Sequence, residues 1–291
     1  MWIADSYAKI NLGLHVLERL PTGYHRIETG FCFLDWRDHF EVEQAPEMKL
    51  EIDGPGDEDD IPTDGSNLIN KAIAALDRYV GLQHNYLISV DKRIPAGAGL
   101  GGGSSNAALT LRMLNKIEEL GLSDDELIDL SRDLGADVPF FIKGKTGIGH
   151  GIGHEIKELE IQPEYPIVAC FPDEPSSTPE AYQYCRPNPE PDFDLQKTLT
   201  QTELEEWRYE LVNDLEQAVF PRIHVAGNLK DQMYEFGALY ASMTGSGSAA
   251  YGIFEQDFVA TEAYKRLLDL ELPCSLTPAG FTPDYGIYRK G

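Results

Sequence analysis

Residues 10–16 place Ile10, Leu12, Leu14 and Val16 at alternate positions, with Asn11, Gly13 and His15 between them. That two-residue period is the mark of a strand with one apolar face. The β pattern continues at 31–34 and 40–42, beyond a turn-like segment at 20–24. The period then lengthens. Leu68, Ile69, Ala72, Ile73 and Leu76, with Gly81 behind them, predict a helix over 66–80. An acidic, Pro- and Gly-rich stretch at 53–65 precedes it and reads as a solvated connection. Ala107, Ala108, Leu111 and Leu114 predict a further helix starting near Ser104. Ser123-Asp124-Asp125-Glu126 is a capping box that opens a helix over 124–134, closed by Gly135. Asp137 would then lie just beyond a helix C-terminus, in a turn fixed by Pro139.

The glycine-rich segment 144–153 reads as a turn or hairpin leading out of a first domain. In the second half, 167–170 reads as a buried strand, and 172–178 and 187–191 as loops. Helices are predicted over 203–220 and 257–270, and two short strands flank Gly245-Ser246-Gly247. The expectation is an α+β protein of two domains, 1–158 and 159–291, with a cleft between them. A return of the final stretch, about ten residues, to the first domain is left open by the pattern.

The segment Pro95-Ala96-Gly97-Ala98-Gly99-Leu100-Gly101-Gly102-Gly103-Ser104-Ser105 interrupts both periods. Its glycines admit backbone conformations that a Cβ forbids, so several N–H groups can converge on one anion. Ser104, Ser105 and Asn106 offer capping groups to the following helix, whose N-terminus favours phosphate. A Walker A loop is excluded, because no lysine stands between Gly97 and Ser105. Gly97, Gly99 and Gly102 fit the dinucleotide fingerprint, but Lys92 to Ala96 separate them from the apolar run 86–90. A second helix also follows where a strand is required. A flexible linker would not flow straight into an amphipathic helix.

Charge changes the picture next. The chain of 291 residues carries a formal charge of −25, which disfavours nucleic acid as a partner. An anionic ligand must therefore be met by local cations: Lys9, Lys92, Arg93, Lys143 or Lys145. The acidity suits a salt-rich cytoplasm, and an ordinary soluble acidic protein accounts for it nearly as well. Four scattered cysteines, no run of 18 apolar residues and no signal pattern lead to the expectation of a reduced, cytoplasmic protein with no membrane partner. A monomer or a homodimer is expected.

The run from Pro95 to Ala108 resembles the phosphate loop of the GHMP small-molecule kinases, which include galactokinase, homoserine kinase and mevalonate kinase. Tyr7-Ala8-Lys9-Ile10-Asn11-Leu12-Gly13, Gly23-Tyr24-His25, Leu134-Gly135-Ala136-Asp137-Val138-Pro139 and Met243-Thr244-Gly245-Ser246-Gly247-Ser248 follow in the family's order. The resemblance implies an N-terminal ATP domain like ribosomal protein S5, a C-terminal ferredoxin-like α+β domain, and ATP with Mg2+. The Gly23-Tyr24-His25 element narrows it to members whose acceptor is a cytidine diphosphate-linked methylerythritol, on the methylerythritol phosphate route to isoprenoids.

By the same resemblance, Asp137 is the general base, Lys9 its catalytic partner, and 95–105 the ATP loop. Ser105 would contact magnesium or a phosphate, and a helix cap would use the same hydroxyl. Asn11, Tyr24 and His25 would read the acceptor, with Tyr182 stacking its base. Gly245 and Ser246 would either present N–H groups to its diphosphate or simply form a tight hairpin. Outside the resemblance, Lys9 reads as a strand-edge charge, His25 as a turn residue and Tyr182 as core. The segment 149–155 departs from the family pattern: it carries His150 and His154, at no metal-binding spacing, and its glutamate is displaced by one. The alternatives are a homoserine- or mevalonate-type kinase, or a non-catalytic sensor on the same fold.

Overall fold

The computed structural model describes residues 1–54 and 61–290, so residues 55–60 of the expected acidic loop at 53–65 lie outside the described residues. The chain opens with two long antiparallel strands, β1 (Trp2–Arg19) and β2 (His25–Ala45). β3 (Lys49–Asp53), α1 (Leu68–Val80) and β4 (Asn85–Asp91) follow, with β4 pairing both β2 and β3. Three helices come next: α2 (Gly102–Ile117), α3 (Asp124–Leu130) and α4 (Val138–Lys143). The hairpin of β5 (Gly147–His150) and β6 (Glu155–Glu158) then joins the edge of β2.

The second half builds a smaller sheet. β7 (Ile167–Cys170) leads to five helices: α5 (Thr178–Tyr184), α6 (Leu195–Gln201), α7 (Trp207–Glu210), α8 (Glu216–Val219) and α9 (His224–Glu235). β8 (Tyr240–Met243), β9 (Ala250–Ile253), α10 (Asp257–Asp269) and β10 (Cys274–Thr277) complete it in the strand order β10-β7-β9-β8. β11 (Tyr288–Arg289) then pairs with Trp2 and Ile3 of β1, so the larger sheet has seven strands. The architecture is α+β.

β1 and β2 stand between two cores. Ile10, Leu12, Cys32 and Leu34 pack toward Ile167, Ala169, Tyr251 and Ile253 of the smaller sheet. Tyr7, Phe31 and Phe33 face the opposite way, against Leu111, Phe140 and Phe141. The alternation at 10–16 therefore separates an apolar face from one that is also buried: Lys9 and Asn11 are only 3% and 2% exposed. Their polar face is the floor of a site, not a solvent surface.

Four local expectations need correction. α2 begins at Gly102, with Gly101 as a left-handed cap, so Ser104, Ser105 and Asn106 lie inside the helix rather than capping it. Three glycines in a row can enter the turn early, and a left-handed cap needs no Cβ. α3 stops at Leu130, short of residue 134. Pro139 sits in the first turn of α4, where proline is tolerated, so Asp137 heads a short helix instead of trailing one. The predicted helix over 203–220 is broken. Leu14 N–H donates to Val212 O and Asp214 N–H to Leu14 O, which draws 211–214 out alongside β1. Pairing with a strand has displaced a local helix preference.

Candidate active site

Two cavities meet at the glycine loop. The larger, about 850 Å³, runs from Lys9 and Asp137 to Tyr24, His25 and Tyr182. The smaller, about 490 Å³, lies between the loop, residues 61–69 and Val90. Gly97, Gly99, Gly101, Ser104 and Thr178 line both. Pro95, Ala96, Ala98, Leu100, Gly102 and Gly103 line the smaller one, while Ser105, 3% exposed, lines neither.

The loop's backbone is settled by close approach. Gly99 has φ +78°, and a Cβ there would overlap the carbonyl oxygen of Thr244. Gly101 has φ +72°, and its Cβ would come within 2.9 Å of the Phe141 ring and 3.0 Å of Lys9. Glycine is required at both. Behind them α2 begins, its first N–H groups unpaired within the helix, and Gly102 and Gly103 of that first turn line the smaller cavity.

Lys9 is held from three sides. Its Nζ donates to Asn11 Oδ1 at 2.7 Å and to Gly99 O at 2.9 Å, and stands 3.4 Å from Asp137 Oδ2. Asn11 Nδ2 donates in turn to Thr29 Oγ1, and the Asn11 N–H to Thr244 Oγ1. Asn11 thus lines the cavity while spending its amide on aiming Lys9. The Asp137 side chain is 29% exposed and makes no cap bond to α4, which leaves it open to a ligand.

At the far end His25 and Tyr182 stack on each other, ring centroids 5.1 Å apart at 24°. Burial pushes the Tyr182 hydroxyl well above its ordinary range. Burial, with help from Arg19, holds the His25 imidazole below its ordinary value. Tyr24 is 61% exposed at the rim. Gly245 and Ser246 line the cavity, whereas the Gly247 N–H closes a turn onto Thr244 O.

Of the five candidate cations, Lys9 alone lines the larger cavity. Lys92 is spent on Asp38 at 2.7 Å, Arg93 on Asp91 and Lys145 on Glu158, and Lys143 donates to Ile156 O. Sequence reasoning missed Arg19, which lines the larger cavity opposite His25 in the β1–β2 register. Its position just before the Pro21–His25 turn was the available signal. It missed Thr178 too, whose Oγ1 lies 2.7 Å from Ser246 Oγ across the cavity mouth. Asn213 was assigned to a helix; instead its Nδ2 donates to Met243 O and Gly245 O and so holds the second loop. His150 and His154 border a separate shallow groove with Lys143 and Lys157. Among the described residues no cluster of three or more His, Cys, Asp or Glu is placed to hold a metal, and no helix is long and apolar enough to cross a membrane.

Residues 67–145 match the GHMP kinases N terminal domain, and residues 200–270 the GHMP kinases C terminal domain. The 4-diphosphocytidyl-2-C-methyl-D-erythritol kinase of Chloroherpeton thalassium is 37% identical over 283 residues, covering 95% of this chain and 97% of its own. A crystal structure of 4-(cytidine 5'-diphospho)-2C-methyl-D-erythritol kinase superposes with a TM-score of 0.79 at 31% identity, covering 94% of this chain and 98% of that one. The homoserine kinase of Cytophaga hutchinsonii shares the fold at a TM-score of 0.70 but only 14% identity, covering 98% of this chain and 97% of its own. With relatives this similar over nearly its full length, the chain belongs to the 4-diphosphocytidyl-2-C-methyl-D-erythritol kinases, a branch of the GHMP kinases.

Proposed function

We propose that the protein transfers the γ-phosphoryl group of ATP to the 2-hydroxyl of 4-diphosphocytidyl-2-C-methyl-D-erythritol, giving the 2-phosphate and ADP, on the methylerythritol phosphate route to isoprenoid precursors. The observation that carries this reading is the Lys9–Asp137 pair, 3.4 Å apart beside the junction of two cavities. One cavity takes the donor and the other the acceptor, and the reacting atoms meet between them. ATP lies in the smaller cavity, its phosphates on the glycine loop and the start of α2. The acceptor fills the larger one with its cytosine toward Tyr24, His25 and Tyr182. Because His25 already covers one face of the Tyr182 ring, the base has the other face, or the outer Tyr24 ring, to stack on.

Asp137 accepts the hydroxyl proton as the acceptor oxygen attacks, and Lys9 stabilises charge on the transferring group. Among the described residues no cluster of three or more His, Cys, Asp or Glu is placed to hold a metal, which fits a magnesium ion arriving on the nucleotide and held mainly by phosphate oxygens. Ser104, Asp137 and Thr178 bring side-chain oxygens to the junction where it would sit, whereas Ser105 lines neither cavity. When bound, the ion would neutralise phosphate charge. Gly245 and Ser246 face the acceptor's diphosphate. On this reading the chain forms two domains, 1–158 and 159–291, the second returning β11 to the larger sheet, with the acceptor cleft between them, in a cytoplasmic protein. An ADP-release assay over a panel of alcohols tests the reading: turnover of mevalonate or homoserine without turnover of the cytidyl substrate would overturn it.

A further inference from the structure

We infer that Asp38, a residue of β2 that touches neither cavity, is the positioning residue of the glycine loop. Its carboxylate is fully buried and makes four hydrogen bonds, every one to a segment flanking that loop. Oδ1 accepts the N–H groups of Arg93 and Ile94, at 2.7 and 2.8 Å. Oδ2 accepts Lys92 Nζ at 2.7 Å and Asn106 Nδ2 at 3.0 Å. One side chain therefore grips the chain just before the loop and again one turn into α2. The span that residues 95–103 must cross is fixed before any phosphate arrives, which is preorganisation of the binding N–H groups.

The choice of an ionised pair here has its own logic. Lys92 is 8% exposed and also donates to Ile94 O at 2.5 Å. Its Nζ lies directly beneath Gly102, where an added Cβ would come within 3.2 Å. A buried ion pair costs desolvation, and well-packed apolar side chains would often stabilise such a position equally well. Burial pushes the Asp38 carboxyl up and the Lys92 ammonium down, each opposed by the other group. What apolar replacements could not supply is directional hold on two separate backbone segments. Asn106, likewise buried, extends the hold to Ser6 Oγ at 3.3 Å, on β1 three residues from Lys9.

The inference rests on the reading that residues 97–103 bind ATP, and its test separates the two. The binding of a non-hydrolysable ATP analogue with magnesium is measured by calorimetry on the full chain, beside steady-state kinetics and thermal melting. Asp38→Asn should weaken nucleotide binding by roughly 10- to 100-fold, the range expected for lost hydrogen bonds to a charged group. The acceptor KM and the kcat at saturating ATP should stay within about threefold, since Asp38 bonds only segments flanking the loop and none of the residues that line the acceptor cavity. Asn106→Ala removes a single arm and should weaken nucleotide binding by about three- to tenfold. That variant decides the matter if Asp38→Asn does not fold. A folded Asn106→Ala or Asp38→Asn with wild-type nucleotide affinity overturns the inference. Equal losses in donor and acceptor KM overturn it as well, since they mark a merely structural role. Wild-type protein that binds no nucleotide overturns the loop assignment, and this inference with it.

Discussion

The loop of residues 97–103 and that of residues 245–247 both bring glycines to the site, yet they work differently. The first runs into a 16-residue helix, so the anion binding proposed for it would draw on free N–H groups and a helix end. It is held from below by a carboxylate. The second joins two four-residue strands and has no helix behind it. It is held by an amide, Asn213, through its carbonyl groups, and one of its N–H groups is consumed in the turn. Similar composition therefore does not mean similar function. What lies behind a glycine loop decides how many of its donors remain for a ligand.

Four changes would break or sharpen this contrast. Asp137→Asn acts where the two sides meet and should leave both substrate affinities nearly intact. The turnover number should fall about 10²- to 10⁴-fold, the usual cost of losing a general base. Near-normal turnover by the folded variant would remove Asp137 from the chemistry. Gly99→Ala attacks the donor side. Its Cβ must displace Thr244 O at a left-handed φ, so ATP affinity should fall by at least about tenfold, with a stability cost of about 1–3 kcal/mol. Because Thr244 also bonds Asn11, an accompanying rise in acceptor KM would reveal coupling between the loops. An unchanged ATP affinity would mean that the loop is not the nucleotide site.

Tyr182→Ala attacks the acceptor side alone. It should raise the KM for the cytidyl substrate by about 1–3 kcal/mol of lost stacking while the ATP KM stays put. A melt must show the variant folded, since Tyr182 packs against the core that contains Leu14 and Val16. An unaltered acceptor KM would make Tyr182 a core residue only. The smallest effect concerns pH. The folded His25 has its pKa lowered from the ordinary 6.5, by burial first and Arg19 second. The unfolded chain therefore binds the proton more readily. Stability contributed by neutral His25 is full above 6.5, falls as pH drops below it, and stops falling once pH passes the lowered folded value. Melting temperatures from about pH 7 to pH 5 should show this loss in the wild type and not in His25→Gln. Identical profiles would show that His25 is not held neutral by the fold.

The glycine loop was legible in the chain itself, while Lys9, Asp137, His25 and Tyr182 were singled out through the family resemblance. Glycine alternation, the apolar period after it and the Lys9-Ile10-Asn11 strand are local properties, written in backbone freedom and side-chain spacing. Local reading also found the elements that bury a regular face, such as α1, β7 and α10. It failed where a distant partner competed with local preference. The stretch 211–214 left its helix to pair with β1, and Asp137 moved from a helix end to a helix start because Pro139 fits a first turn. The pairing of Lys92 with Asp38, rather than with a ligand, joins positions 54 residues apart. Sequence alone fixed which residue types were available: the glycines, Lys9, Asp137, and the aromatic and imidazole groups at 24, 25 and 182. Tertiary structure decided which cations stay free, which N–H groups face a cavity and which carboxylate is structural. Those outcomes depend on distances between remote segments, and no local pattern of propensity or period encodes them.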